Sequence, residues 1–158
     1  MQIMKKHIRA GRVEEIILSP GYTGPVKRQP RIRVSSKEKK KQNLIAAVHV
    51  LARIINTNFD QEDVLLTLTY NDAGLEHLHS SDDKADAAEQ RAAQYRLARS
   101  DLDQYIERCL YHAEKQGATV KYVAVTSDMD GETQQTVRLH HHLIVNADAL
   151  QIMWDNWH

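Results

Sequence analysis

The sequence predicts an α+β domain in which helices pack on one face of an antiparallel β-sheet. In two segments the apolar residues recur three and four positions apart, as in an amphipathic helix. Three shorter segments are rich in β-branched residues or alternate between apolar and polar residues, as strands do. The order is helix, strand, long helix, strand, strand, helix, with a candidate extra strand before it. All three prolines precede residue 31, so no proline interrupts this order.

Length and composition are those of one globular domain. The 158 residues are 42% hydrophobic, which is enough for a core, and no apolar run is long enough to span a membrane. The N-terminus has no apolar segment behind its first lysines, so it does not resemble a secretory signal. Cys109 is the only cysteine and cannot form an internal disulfide, which favours a reducing compartment.

The zero net charge hides an asymmetry between the two ends of the chain. Residues 1–41 contain 12 Lys/Arg and 3 Asp/Glu, a charge of +9, and residues 42–158 contain 9 and 18, a charge of −9. A basic segment on an acidic body suggests a polyanionic partner. It is equally compatible with a segment that folds back on the body or only keeps the chain soluble. We assign residues 1–36 to a basic, partly flexible arm and residues 37–158 to the domain.

The arm has one short apolar stretch, residues 13–18, which is a candidate edge strand, and Pro and Gly residues end it. Ser36 then resembles the N-cap of a helix that runs to about Asn56. The apolar stripe of this helix has spacings of 4, 3 and 4 residues: Leu44, Val48, Leu51 and Ile55.

Residues 63–70 form the clearest strand, with Leu65, Thr67 and Thr69 on one face, and residues 71–74 resemble a turn. A loop is expected to about residue 86. A long helical pattern from about residue 84 ends at Gln116, before Gly117 as C-cap. Its expected buried stripe comprises Ala88, Ala92, Tyr95, Leu102, Tyr105 or Ile106, and Cys109.

A hairpin and a short helix complete the domain. Strands at residues 119–126 and 137–146 flank a turn, and a helix capped by Asn146 begins at Ala147. Alternation along the second strand puts Arg138, His140 and His142 on one face and His141 on the core face, between Leu139 and Leu143. Two imidazoles two residues apart on one face converge, which favours a divalent-metal site beside an anion. The alternative is a surface histidine cluster on a half-exposed strand.

Three motifs in this order resemble those of the HUH superfamily of single-strand DNA endonucleases, and within it the rolling-circle replication initiators (Rep proteins) of phages and plasmids. They are the basic helix running into residues 54–59, the strand at residues 65–70, and the His-hydrophobic-His-like stretch at residues 139–145. The resemblance spans residues 37–158. It implies a ferredoxin-like palm, nicking of single-stranded DNA at a replication origin, a divalent metal (Mn²⁺ or Mg²⁺) and a bacterial cytoplasmic location.

The resemblance also implies roles for particular residues. His140 and His142 would be metal ligands, with Asp128 as a candidate third ligand. Basic residues would bind DNA, namely Lys27, Arg28, Arg31, Arg33, Lys39, Lys40, Lys41 and Arg138. Two departures stand out. The middle residue of the His motif is usually apolar, and here it is His141. The family's nucleophilic tyrosine follows the His motif, and here no tyrosine follows His142, as in a domain truncated before that helix.

The sequence therefore supports an HUH domain that binds metal and single-stranded DNA but lacks its nucleophile, so no catalytic residue is assigned. Two alternatives remain open. One is a non-catalytic module that binds single-stranded nucleic acid or another partner, in which the histidines are ordinary surface residues. The other is a metal-dependent phosphoesterase of a different kind.

Overall fold

A computed structural model describes residues 2–21, 36–79, 86–133 and 135–157, and it confirms the α+β class. The chain forms two compact units, Met1–Asp60 and Gln61–His158. Within the described ranges, no helix combines the length and the apolar composition needed to cross a membrane. The first helix belongs to the first unit, whereas the sequence assigned it to the domain beginning at residue 37.

The first unit consists of an antiparallel hairpin, β1 (Ile3–Ala10) and β2 (Val13–Pro20), and helix α1 (Lys37–Asn58). The candidate strand at residues 13–18 is confirmed as β2, but β1 was not predicted. Ser36 caps α1 as expected, since its hydroxyl accepts a hydrogen bond from the Lys39 amide at 3.2 Å.

The apolar stripe of α1 is not buried, contrary to what its amphipathic pattern indicates. Leu44, Val48 and Leu51 are 66, 57 and 45% exposed, and none of the helix residues is buried. The contact with the hairpin uses other residues. Arg53 donates to the Glu15 carboxylate at 2.7 Å, and Asn56 lies against the β1–β2 turn at Gly11.

Gly11 allows this turn to approach the helix. Its φ of +59° lies in the left-handed region, and a Cβ atom here would collide with the backbone carbonyl of Asn56. We therefore expect Gly11→Ala to destabilise the hairpin and α1 by more than about 1–2 kcal/mol. Amide hydrogen exchange of the first unit would measure this.

Gly117→Ala is the matched control for Gly11→Ala. Gly117 has a similar φ of +66°, but its Cβ would meet nothing within 4 Å. Gly117→Ala introduces only the backbone strain, so its destabilisation of its own unit, measured by amide exchange of the second unit, should be smaller. Equal effects of the two substitutions would contradict the close approach of Gly11 to Asn56.

The second unit contains a three-stranded antiparallel sheet of order β3-β5-β4, formed by β3 (Val64–Thr69), β4 (Tyr122–Met129) and β5 (Thr136–Val145). The predicted hairpin of β4 and β5 is confirmed, and the histidine strand β5 is the central strand. A 3₁₀ turn (Ala147–Ala149) and helix α4 (Leu150–Asp155) follow β5.

The long helix is confirmed as α3 (Ala87–Gln116), which ends at Gly117 as predicted. Leu102, Tyr105, Ile106 and Cys109 are buried as expected, whereas Ala88 and Ala92 are exposed. The turn predicted at residues 71–74 is instead the start of a short helix, α2 (Asp72–Leu78). The Asn71 side chain caps this helix by accepting from the Gly74 amide at 2.8 Å.

Helices α3 and α4 bury one face of the sheet, where Leu66, Leu143 and Val145 pack with α3 residues and Met153. The Tyr105 hydroxyl donates to the Met153 carbonyl at 2.7 Å and so links the two helices. The opposite face, which we call the open face, carries Leu65 and Val125 at 66 and 57% exposure. The same face holds His140 and His142.

Candidate metal centre on the open face

The central strand separates its three consecutive histidines as the alternation predicts. His141 is fully buried, like Leu143 and Val145, whereas His140 and His142 are partly exposed on the open face. Because β5 is hydrogen-bonded on both sides, its backbone holds the two outer imidazoles on a fixed base.

The two outer imidazoles converge on one point. Their Nε2 atoms lie 3.0 Å apart, and the rings are 4.6 Å apart between centroids and nearly perpendicular, at 81°. This is the separation of an N–H···N hydrogen bond, so one nitrogen donates to the other, and a cation bound by both would replace the shared proton. Two fixed nitrogen donors directed at one position are the beginning of a metal site.

The remaining ring nitrogens are held by second partners. His140 Nδ1 lies 2.8 Å from the Arg138 carbonyl oxygen, which only accepts, so Nδ1 carries the proton and Nε2 keeps its lone pair. Because His140 Nε2 then accepts from His142 Nε2, His142 Nδ1 accepts from the Thr67 hydroxyl on β3 at 3.1 Å, and this hydroxyl could accept instead if a metal took Nε2. Metal-binding histidines typically donate their second nitrogen to such a group.

The distance between the two Nε2 atoms can be compared with the donor separation that each coordination geometry requires. With metal–nitrogen distances of about 2.1 Å, donors 3.0 Å apart subtend about 90° at the metal, the angle of octahedral coordination. A tetrahedral site would separate them by about 3.4 Å. Small rotations of the two side chains would reach either separation, and imidazole binds several divalent metals, so the spacing does not select the ion.

Thr67 should orient His142 for binding. Thr67→Val keeps the shape of the side chain and removes the hydroxyl that contacts Nδ1, so we expect Mn²⁺ affinity to fall about 10- to 100-fold. Calorimetric titration would measure it. Thr69→Val, on the same strand and face, is the control, and an equal loss in both variants would contradict the role of Thr67.

Asp128, the predicted third ligand, does not join the pair. It is 7% exposed and accepts from Arg91 at 2.7 Å and from Tyr95 at 2.8 Å, both on α3. Burial raises the pKa of its carboxyl, but the hydrogen bonds from Arg91 and Tyr95 together outweigh burial and lower that pKa. Among the described residues no three His, Cys, Asp or Glu side chains are grouped to hold a metal.

Alternation along β4 explains the position of Asp128. Thr126 lies directly opposite His141 and shares its buried side, and Asp128 follows two residues later. Ser127, opposite His140, lies on the same side of the sheet as His140 and His142. The strand pattern alone therefore contained the signal that Asp128 points away from His140 and His142.

The predicted DNA-binding residues fall in three places. Arg138 lies on the strand face of His140, and its guanidinium is 3.3 Å from Asp72 in an exposed ion pair, an interaction worth little in water. Lys39, Lys40 and Lys41 are exposed in the first turns of α1, in the first unit. Lys27, Arg28, Arg31 and Arg33 lie outside the described residues.

Beneath the pair, His141 has two hydrogen-bond partners that the sequence did not reveal. Its Nε2 is 2.9 Å from the Tyr70 hydroxyl and its Nδ1 is 2.9 Å from the Thr126 hydroxyl. Burial lowers the pKa of His141 to about 4, against the opposing effect of Asp101. The imidazole is therefore neutral at pH 7 and belongs to the core.

Comparison with known proteins gives no match to a family model, to a curated protein or to a solved structure. The resemblance to HUH endonucleases therefore rests on the three sequence motifs alone.

Proposed function

We propose that the open face of the sheet binds a divalent cation, Mn²⁺ or Mg²⁺, through His140 and His142, and binds single-stranded DNA beside it. In this proposal the chain is the HUH nuclease domain of a rolling-circle replication initiator of a phage or plasmid, acting in a bacterial cytoplasm. The observation that carries the proposal is the convergence of the two Nε2 atoms at 3.0 Å, with both Nδ1 atoms already engaged.

A bound cation would neutralise negative charge on a phosphate oxygen. The residues prepare for this in two ways. Two histidines alone leave most coordination positions to water and phosphate oxygens, which suits a substrate-binding site. Arg138 can exchange its exposed carboxylate partner for a phosphate at small cost, because that ion pair is solvated.

The proposal is that His140, His142 and Arg138 bind the metal and the DNA. It does not include nicking of the DNA. No tyrosine occurs among residues 143–158. Tyr70, Tyr95 and Tyr105 are engaged in hydrogen bonds to His141, Asp128 and Met153. Tyr111, on α3, lies against the Lys115 ammonium at 4.2 Å from its ring centroid and precedes the histidine strand.

Binding of a labelled single-stranded oligodeoxynucleotide, with Mn²⁺ or with a chelator, tests the proposal. We expect binding that strengthens in Mn²⁺ and weakens steeply as salt increases, because lysines and arginines neutralise phosphates. His140→Ala and His142→Ala should abolish the Mn²⁺ effect and retain the salt effect. Wild-type binding that is indifferent to both Mn²⁺ and chelator would contradict the metal-dependent function.

That contrary result would favour a second candidate, a non-catalytic module for single-stranded nucleic acid. One observation supports it: among the described residues, no acidic, histidine or cysteine side chain joins His140 and His142 as a third ligand. In this case the Nε2 contact would be only a hydrogen bond between a protonated and an unprotonated nitrogen.

A further inference from the structure

A groove of about 650 Å³ runs along the outer edge of β3, within the second unit. Its two walls are the edge strand and the end of the chain around α4, and its lining residues are Leu65, Leu66, Thr67, Leu68, Thr69, Trp154, Asp155 and Trp157. Its volume lies within the range of sites for small organic groups.

The two tryptophans of the groove differ in their surroundings. Trp157 donates from its indole nitrogen to the Thr69 carbonyl at 3.0 Å, and its ring packs edge-on against Tyr70, Tyr105 and His141. Trp154 is 71% exposed. Trp157 therefore forms part of the groove wall, and Trp154 exposes its indole ring to the groove.

The backbone of β3 supplies polar groups to the same groove. The Thr69 carbonyl faces Trp157 and not β5, so by strand alternation the peptide groups of Thr67 and Leu65 also point outward. Because Trp157 already occupies the carbonyl of Thr69, only two residues remain to pair with an added strand. This edge is therefore poorly suited to bind an extended peptide and better suited to a planar polar group.

The groove and the candidate metal centre are linked by Thr67. Thr67 lines the groove, and its hydroxyl is 3.1 Å from His142 Nδ1. A chain whose phosphate lies at the histidine pair could therefore place a neighbouring group in the groove. Asp155, whose carboxylate accepts from Gln151 at 2.8 Å, makes the groove unfavourable for a phosphate but favourable for an amino group.

We propose that this groove binds a nucleobase of a single-stranded nucleic acid, stacked on Trp154, with its edge facing Asp155 and the outward peptide groups of β3. The inference rests on the proposed function for the path of the nucleic acid from the histidine pair to the groove. Stacking on Trp154 itself needs no metal. Stacking on an aromatic ring tolerates different bases, since every base has a π-face.

The test compares Trp154→Ala, Trp154→Phe and Tyr111→Ala in binding a fluorescein-labelled oligodeoxyadenylate, with chelator present. Trp154→Ala should weaken binding about 5- to 100-fold, the effect of one base–aromatic stack, and Trp154→Phe should restore most of it. Tyr111→Ala removes another exposed aromatic side chain, 54% exposed on α3, and should have little effect. Wild-type affinity in Trp154→Ala would overturn the proposal, as would equal losses in Trp154→Ala and Tyr111→Ala.

Mn²⁺ titration of the same proteins separates this inference from the proposed function. Trp154→Ala should bind Mn²⁺ like the wild type, whereas His140→Ala/His142→Ala should lose Mn²⁺ and keep the Trp154-dependent oligonucleotide binding in chelator. If Mn²⁺ binding fails in the wild type but the Trp154 effect persists, the metal function is wrong and the base site stands. If the Trp154 effect is absent while Mn²⁺ binds, the base site is wrong.

Discussion

Acidification from pH 6.5 to about 4 is expected to destabilise the second unit by about 3 kcal/mol through His141 alone. Burial lowers the pKa of this imidazole from its ordinary 6.5 to about 4 in the folded protein. Between these two pH values His141 is protonated in the unfolded chain but not in the folded chain, so acid favours unfolding. The stability is therefore complete above pH 6.5 and is lost as the pH falls to about 4, below which the His141 contribution no longer changes.

Denaturant unfolding followed by tryptophan fluorescence measures this effect, because both tryptophans lie in the second unit. Several other groups titrate with acid, so the contribution of His141 is the difference between the wild type and His141→Leu. Among the groups that act on His141, Asp101 raises its pKa and the charge of His140 lowers it.

The variant His141→Leu should lose stability at pH 7 and yet depend less on pH. It leaves the hydroxyls of Tyr70 and Thr126 without their imidazole partner, at a cost of about 1–3 kcal/mol each where they are buried. The apolar residue carries no proton, so the slope between pH 6.5 and 4 should be shallower by about 3 kcal/mol over the window. An unchanged slope would show that His141 has the same pKa in the folded and unfolded chains, which would contradict the effect of burial on its imidazole.

Local patterns predicted the elements that depend on near neighbours. The spacing of Leu102, Ile106 and Cys109 and the glycine at position 117 defined α3, and the alternation of β5 separated His140 and His142 from His141. Each pattern comes from a single helix or strand with one buried face, so the period of the element is visible in the residues.

Contacts between distant segments were not predictable in this way. The register of β3 against β5 pairs Thr67 with His142 and brings Tyr70 to His141, and nothing in either segment alone fixes that register. The strand β1 was missed because its residues are almost all exposed, so its two faces hardly differ. The helix α2 was missed because an Asn cap and a glycine also occur in turns.

The second large effect concerns the metal. We expect His140→Ala and His142→Ala each to reduce Mn²⁺ affinity by more than about 100-fold, because each removes one of the two adjacent imidazole nitrogens that would hold the ion. His141→Leu, between them, should bind Mn²⁺ within about threefold of the wild type, since His141 faces the core and donates nothing to the open face.

Calorimetric titration of Mn²⁺ into the wild type, His140→Ala/His142→Ala and His141→Leu is the most direct measurement of the central claim. From the proposed function we expect saturable binding of one Mn²⁺ per chain in the wild type and in His141→Leu, and none in the double variant. Equal binding by the wild type and the double variant, or no saturable binding by the wild type, would contradict the assignment of His140 and His142 as metal ligands.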